Sequence, residues 1–163
     1  LRGQDSRALL TTWEPTWPMD DLPRASFRRS IRRYIQDIRE DSAYPFFIFR
    51  TDDNDFLGGI TLSNVRRGVT QSASLGYWIG ESHAKQGLMS TAVSAVVPFV
   101  FDQLRLHRLE AACLPSNAAS IRLLEKVGFT REGFSRRYLR INGLWQDHFL
   151  YAMLTEDPRP AAL

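Results

Sequence analysis

YWIGESHAKQGLMSTAVSAVVPFVF, residues 77–101, reads as the end of an apolar strand, a short polar turn centred on Gly87, and an amphipathic helix. A turn of that kind directs free backbone N–H groups outward, where the positive end of the helix dipole lies. It is therefore a site for a phosphate or pyrophosphate. The same letters narrow the choice of ligand. A Walker P-loop requires Gly-Lys-Ser/Thr, which is absent, and a Rossmann fingerprint requires G-x-G-x-x-G, whereas Gly87 stands alone in its turn.

Working outward, the segments on either side have the periodicity of an α/β domain. Residues 24–40 place Phe27, Ile31, Tyr34, Ile35 and Ile38 on one helical face, with arginines on the other. Strands are expected over 44–51 and 56–65, joined by the turn cluster at 52–55 into a hairpin. A third strand is expected over 69–80, feeding the phosphate turn, and a helix over 89–104 that Pro98 weakens or kinks. Residues 108–114 read as a short apolar strand. A second helix follows from Asn117 to Val127, with Gly128 at its C′ position. The last two strands, 129–140 and 144–154, flank Asn142-Gly143, a strong hairpin signal. The expected fold is α/β of the α+β type: a mixed, mostly antiparallel sheet with helices on both faces. Leu1-Arg2 looks like the end of a strand, and Asp5 like a helix cap, so a first edge strand is expected to precede residue 1.

Composition bounds the class. The 163 residues suit one domain, expected over residues 1–155, with the Pro-rich tail 156–163 fraying. No apolar run approaches the roughly 20 residues that span a bilayer, and the N-terminus has no signal-peptide core. The single cysteine, Cys113, excludes an internal disulfide framework and fits a reducing cytoplasm. His83, His107 and His148 lack metal-ligand spacing, so no metal is expected. Net charge is +3, carried almost wholly by arginine, since Lys85 and Lys126 are the only lysines. That balance fits an anionic ligand or an acidic partner, and equally an arginine-rich chain with neither. Arg28, Arg29, Arg32 and Arg33 read as the solvated face of a helix rather than a nucleic-acid strip.

The element order, the turn Ala84-Lys85-Gln86-Gly87-Leu88-Met89 and the block PSNAASIRLLEKVGF (residues 115–129) together resemble the GCN5-related N-acetyltransferase (GNAT) superfamily. The family turn is Q/R-x-x-G-x-G/A. Its central glycine is matched, while Ala84 and Met89 stand at its two ends. Asn117, Ser120, Leu123-Leu124 and Lys126-Val127-Gly128-Phe129 are similar to the RimJ/RimL-like, ribosomal-protein-alanine branch. So are RRYLRINGLWQDHFLYAML from Arg136 and Trp13-Glu14-Pro15. The resemblance implies acetyl-CoA as cosubstrate and direct acetyl transfer in a ternary complex to a protein N-terminal amine, ribosomal proteins being the best-known acceptors of that branch. It implies a monomer or homodimer and no membrane partner.

The resemblance also assigns residues. Gln86, Gly87, Leu88, Met89 and Ser90 would present backbone N–H groups to the CoA pyrophosphate, with Lys85 adding charge or simply solvated. Trp78, Ile79 and Gly80 would end a strand whose backbone pairs with the pantetheine amides, although their side chains also read as core. Asn117 reads as a helix N-cap and Ser120 as its N3 residue. The family reading adds CoA contacts for both, and for Ser120 the role of protonating the departing thiolate. Glu81 is the candidate base. Trp13, Glu14, Tyr138 and His148 are candidates on the acceptor side, with Asp147 beside His148 as a possible partner. Cys113 reads as an inert core thiol. Three other readings stay open: the same chemistry on a small amine such as an aminoglycoside or polyamine, a non-catalytic acyl-CoA sensor, and a nucleotide-binding protein.

Overall fold

The computed structural model describes residues 24–84 and 86–160. Helix α1 (Arg24–Arg39) leads into strands β1 (Tyr44–Phe49), β2 (Phe56–Arg66) and β3 (Ser72–Ile79). A 3₁₀ turn (Glu81–His83) precedes α2 (Leu88–Pro98), and β4 (Arg108–Cys113), α3 (Ala118–Val127), β5 (Thr130–Ile141) and β6 (Leu144–Leu154) complete the order. The six strands lie in one sheet, β1-β2-β3-β4-β6-β5. Among the described strands only β3 and β4 run parallel, because α2 carries the chain back between them as a crossover. Among the described residues, no helix is long and apolar enough to cross a membrane.

Side-chain alternation along β1 shows which helix covers which face. Tyr44 and Phe46 pack edge-on against Phe99 beyond α2, with ring centroids 5.5 and 5.2 Å apart. Phe47 points the other way and meets Tyr34 of α1 at 6.2 Å. The expected helices on both faces are therefore present. The main core lies on the α2 side, where Ile60, Leu62, Val97, Leu109, Leu124 and Met153 are almost wholly excluded from solvent. The amphipathic face expected of α1 is only partly covered by described residues, since Ile35 and Ile38 stay exposed.

Three local expectations change. Strand β3 starts at Ser72 and not at residue 69. Gln71 takes a positive φ of 45°, and its carbonyl accepts from both His107 and Arg108 N–H at 2.8 and 3.1 Å, so the chain turns there before it can pair. Pro98 ends the α-helical ladder, but the coil continues as a π turn over Phe99–Gln103, with Leu104 N–H donating to Phe99 C=O at 2.9 Å. Proline lacks the N–H that would continue the ladder, and the wider turn absorbs the fault. Strand β5 is not plain either. Ser135 pairs with His148 and Leu139 with Gln146, so residues 136–138 bulge opposite Asp147. Arg137 sits there at φ 46°, and its N–H donates to Asp147 Oδ1 at 2.8 Å. The expected turns at Gly128 and Asn142-Gly143 both have the positive φ they need. Past β6 the chain stays against the body: Arg159 reaches Asp102 at 3.1 Å and lies over the Phe101 ring.

Arg67 joins the ends of several elements. Its guanidinium bonds Asp41 after α1 at 2.6 and 2.9 Å and donates to the carbonyl of Leu104, the residue whose N–H closes the π turn. Tyr44 hydroxyl also donates to Asp41. The Arg67 hydrogen bond, with that of Tyr44, holds the Asp41 carboxyl at about 2, below the usual carboxylate range. A depressed carboxylate stabilises the fold fully above its unfolded value and loses that contribution as pH falls toward its folded one. Asp41→Asn is therefore expected to cost about 0.5–1 kcal/mol at neutral pH, the range for half-exposed pairs. It is also expected to flatten the decline in melting temperature between about pH 4 and about pH 2. Parallel wild-type and variant melts across that range check both.

Candidate active site

The parallel pairing of β3 and β4 runs from Ser72↔Arg108 to Leu75↔Ala111 and stops. Each strand continues, held from its other side. β3 stays paired with β2 as far as Gly58↔Ile79, and β4 with β6 as far as Cys113↔Phe149. From Gly76 to Ile79, the β3 edge that faces β4 therefore has no ladder partner among the described residues. It forms one wall of a wedge, able to pair with the amides of an extended ligand. Gly58 and Gly59 hold β3 in this position. A Cβ on Gly58 would lie 2.2 Å from the Trp78 carbonyl oxygen, and one on Gly59 would lie 3.0 Å from the Trp78 indole nitrogen. The Trp78 ring meets Phe56 at 5.5 Å, so its side chain packs and only its backbone faces the wedge. The sequence does not single out this glycine pair, because its constraint comes from a neighbouring strand.

The polar turn lies at the open end of β3. Gly87 is the N-cap of α2 with φ 73° and ψ 0°. A Cβ there would meet nothing within 4 Å, so glycine is favoured by backbone conformation and not by space. The Gly87 carbonyl is drawn back into the helix by Ser90 hydroxyl at 2.8 Å, Thr91 hydroxyl at 3.3 Å and Thr91 N–H at 3.3 Å. The N–H groups of Leu88, Met89 and Ser90 precede the first α-helical bond and have no intrahelical acceptor. No acidic residue sits in that first turn. Met89 is buried in the core and Ser90 spends its hydroxyl on Gly87, so both offer the wedge only backbone. Gln86 is exposed, and its amide reaches Ser82 C=O at 3.4 Å. The turn is braced by His83, whose ring nitrogens lie 3.4 Å from Asp55 Oδ2 and 3.4 Å from Arg50 Nη2 at the end of the β1–β2 hairpin. Sequence spacing gives no sign of this brace. Glu81 is exposed on the 3₁₀ turn.

The other wall of the wedge is the start of α3. Asn117 caps it as expected, with Oδ1 accepting from Ser120 N–H at 3.1 Å. Ser120 is 8% exposed, and its hydroxyl is hydrogen-bonded to the Tyr77 hydroxyl from β3. Ser120 also acts on the Cys113 thiol, opposing part of the effect of its burial. Burial raises the Tyr77 hydroxyl well above the ordinary tyrosine value and pushes the Cys113 thiol up to about 11. Both groups are protonated at neutral pH, and Cys113 is a core thiol with little thiolate character. In the sequence Tyr77 is no more than part of the apolar strand end before the turn. Its meeting with Ser120, 43 residues away, is a tertiary fact.

Beyond α3 lies the β5–β6 hairpin. A groove of about 370 Å³ runs between Leu114-Pro115-Ser116 and Arg137, Trp145, Gln146 and Asp147. Tyr138 is 47% exposed beside it, with its ring 5.9 Å from that of His148. His148 itself is 2% exposed, and its Nδ1 lies 2.9 Å from the Gln146 carbonyl. Asp147 and His148 therefore do not form a base pair: Asp147 holds the bulge through Arg137 N–H, and His148 bonds backbone. Arg136, Arg137 and Arg140 are exposed on this hairpin. Trp13, Glu14 and Lys85 lie outside the described residues, as does the expected first edge strand.

Comparison with known proteins agrees with this geometry. The sequence model described as an acetyltransferase (GNAT) domain matches residues 4–130. A probable N-acetyltransferase of Bacillus subtilis, YjcK, is 40% identical over 80% of this chain and 72% of its own length. The ribosomal protein uS5-alanine N-acetyltransferase of Escherichia coli is 32% identical over 96% of this chain and 80% of its own. The structure of Mycobacterium smegmatis RimJ in complex with CoA-disulfide superposes with a TM-score of 0.89 at 33% identity, covering 99% of this chain and 78% of that one. Gly87→Val is expected to weaken CoA binding about tenfold or more, since a β-branched residue resists φ 73°. Calorimetric titration with CoA checks this, alongside a melt showing that the fold survives. The wedge, the N–H-lined helix start and these likenesses converge: the chain belongs to the GNAT family, in its RimJ/RimL-like branch, and is an acetyltransferase that uses acetyl-CoA as cosubstrate.

Proposed function

We propose that the acceptor is the N-terminal α-amino group of a protein, of the ribosomal-protein type. The observation that carries this reading is the groove beside the wedge. It is open, and Arg136, Arg137 and Arg140 are exposed on the hairpin that borders it. Asp147, the one carboxylate among its described lining residues, is already engaged with Arg137 N–H. An aminoglycoside or polyamine carries several positive charges and would meet repulsion there. An extended peptide brings one ammonium and a backbone that an open groove accommodates. The E. coli relative that acetylates alanine of ribosomal protein uS5 supports the same choice.

In this reading the Leu88, Met89 and Ser90 N–H groups hold the pyrophosphate, with Gln86 and Lys85 beside it. The free edge from Gly76 to Ile79, running to Gly80, pairs with the pantetheine amides, and Asn117 touches the cosubstrate through its amide nitrogen. Binding then sets the thioester beside Ser120. An N-terminal ammonium has a pKa near 8, so a modest base suffices to neutralise it. Glu81, exposed at the mouth of the wedge, takes that role through water. The amine attacks the thioester carbon, the C–S bond breaks, and the sulfur finally takes up the proton the nitrogen loses. Ser120 hydroxyl donates to the sulfur as its charge grows. Tyr138 lines the acceptor path above the buried His148, and Trp13 and Glu14 complete the acceptor side.

The test is thiol release from acetyl-CoA with short peptides bearing free N-terminal Ala, Ser or Met, against N-blocked copies, spermidine and an aminoglycoside. Turnover is expected only with the free-amine peptides. Turnover with the polycations alone would replace the proposal with a small-amine acceptor, and CoA binding without any turnover would favour a sensor. Arg136→Glu combined with Arg140→Glu is expected to shift selectivity toward spermidine by about tenfold, read as the ratio of kcat/KM values.

A further inference from the structure

We infer that Tyr77 is a positioning residue that aims the Ser120 hydroxyl at the sulfur of the departing CoA, an inference that rests on reading Ser120 as the donor to that sulfur. The two hydroxyls meet across the wedge, one from β3 and one from the first turn of α3. A serine hydroxyl has one proton to give and two lone pairs to fill. Burial keeps Tyr77 protonated, so it can donate into one Ser120 lone pair. The Ser120 proton is then directed away from Tyr77. The Cys113 thiol, which Ser120 influences, is a weak acceptor. A thiolate forming in the wedge is a far better one.

Accepting a bond from Tyr77 polarises the Ser120 O–H and makes it a stronger donor. Tyr77 keeps its own proton throughout. The proton lost by the amine balances the reaction. Tyr77 also belongs to the β3 segment, Gly76 to Ile79, whose edge is open toward β4. The strand that receives the cosubstrate backbone is thus the one that holds the hydroxyl in register with the sulfur. Ser120 is fixed a second time by its N–H bond to Asn117 Oδ1. Backbone and side chain of one residue are each tied, so the hydroxyl has little rotational freedom.

Tyr77→Phe removes the hydroxyl and keeps the ring. Two readouts are needed, one of which requires no acceptor amine. The first is the kcat and KM of Tyr77→Phe, Ser120→Ala and the double variant. The second is ultraviolet titration of the thiol of bound CoA, with desulfo-CoA as the blank that removes Cys113 from the signal. Tyr77→Phe is expected to lower kcat about tenfold, the worth of one strong hydrogen bond, with the KM for acetyl-CoA within twofold. The pKa of the bound CoA thiol should rise, and the double variant should be no slower than Ser120→Ala alone. Wild-type kcat and an unshifted thiol titration in Tyr77→Phe, with Ser120→Ala impaired, would overturn the role of Tyr77 alone. Independent, multiplicative losses in the double variant would do the same. A thiol titration unmoved in Ser120→Ala would remove the Ser120 reading and this inference with it. If no amine proves to be an acceptor, the titration still decides the matter. Loss of melting temperature without a shift in titration would assign Tyr77 to packing and overturn the inference.

Discussion

The functional architecture depends on one interruption: β3 and β4 pair over four residue pairs and then separate. Backbone N–H and C=O groups are obligatory hydrogen-bonding groups, so an unpaired strand edge inside a domain must find water or a ligand. Separation on one side is sustained because the other side of each strand remains laddered, to β2 and to β6. Gly58 and Gly59 allow β2 to approach the Trp78 region more closely than any side chain would permit. The wedge is therefore held open by the sheet around it and not by any residue lining it.

In the proposed reading, most of the surface that binds the cosubstrate is backbone. The start of α2 offers N–H groups that no helix can satisfy internally, and the β3 edge offers its amides. This explains why the turn departs from its family pattern at Ala84 and Met89 without losing its form. Met89 turns its side chain into the core, and the left-handed conformation falls on Gly87, which is retained. At the start of α3 the Asn117 cap, the Ser120 hydroxyl and the Tyr77 hydroxyl are linked through one residue, Ser120.

Electrostatics separates the two halves of the site. The α2 end has no acidic residue in its first turn, which suits a pyrophosphate. The hairpin beyond α3 carries exposed arginines around a groove whose carboxylate is already used. The bulge at residues 136–138 gives that hairpin its shape, because Asp147 takes the Arg137 N–H that would otherwise belong to the ladder.

The amino-acid sequence by itself determined the elements and the glycine turn that opens α2. Hydrophobic period separates helix from strand, and Asn142-Gly143, Gly128 and Gly87 mark places where the chain must take positive φ. Those are local constraints, written in neighbouring residues. The Asn117 cap was legible for the same reason, since its partner is three residues away. Tertiary structure alone decided which groups face one another. Tyr77 with Ser120, His83 with Asp55 and Arg50, Arg67 with Asp41 and Leu104, and the Gly58-Gly59 approach to Trp78 all join residues far apart in the chain. It also withdrew His148 beneath Tyr138 and gave Asp147 to the bulge. A side chain's residue type states what chemistry it can perform. Which partner it performs it with is set by strand register and helix packing, whose energies are summed over the whole core.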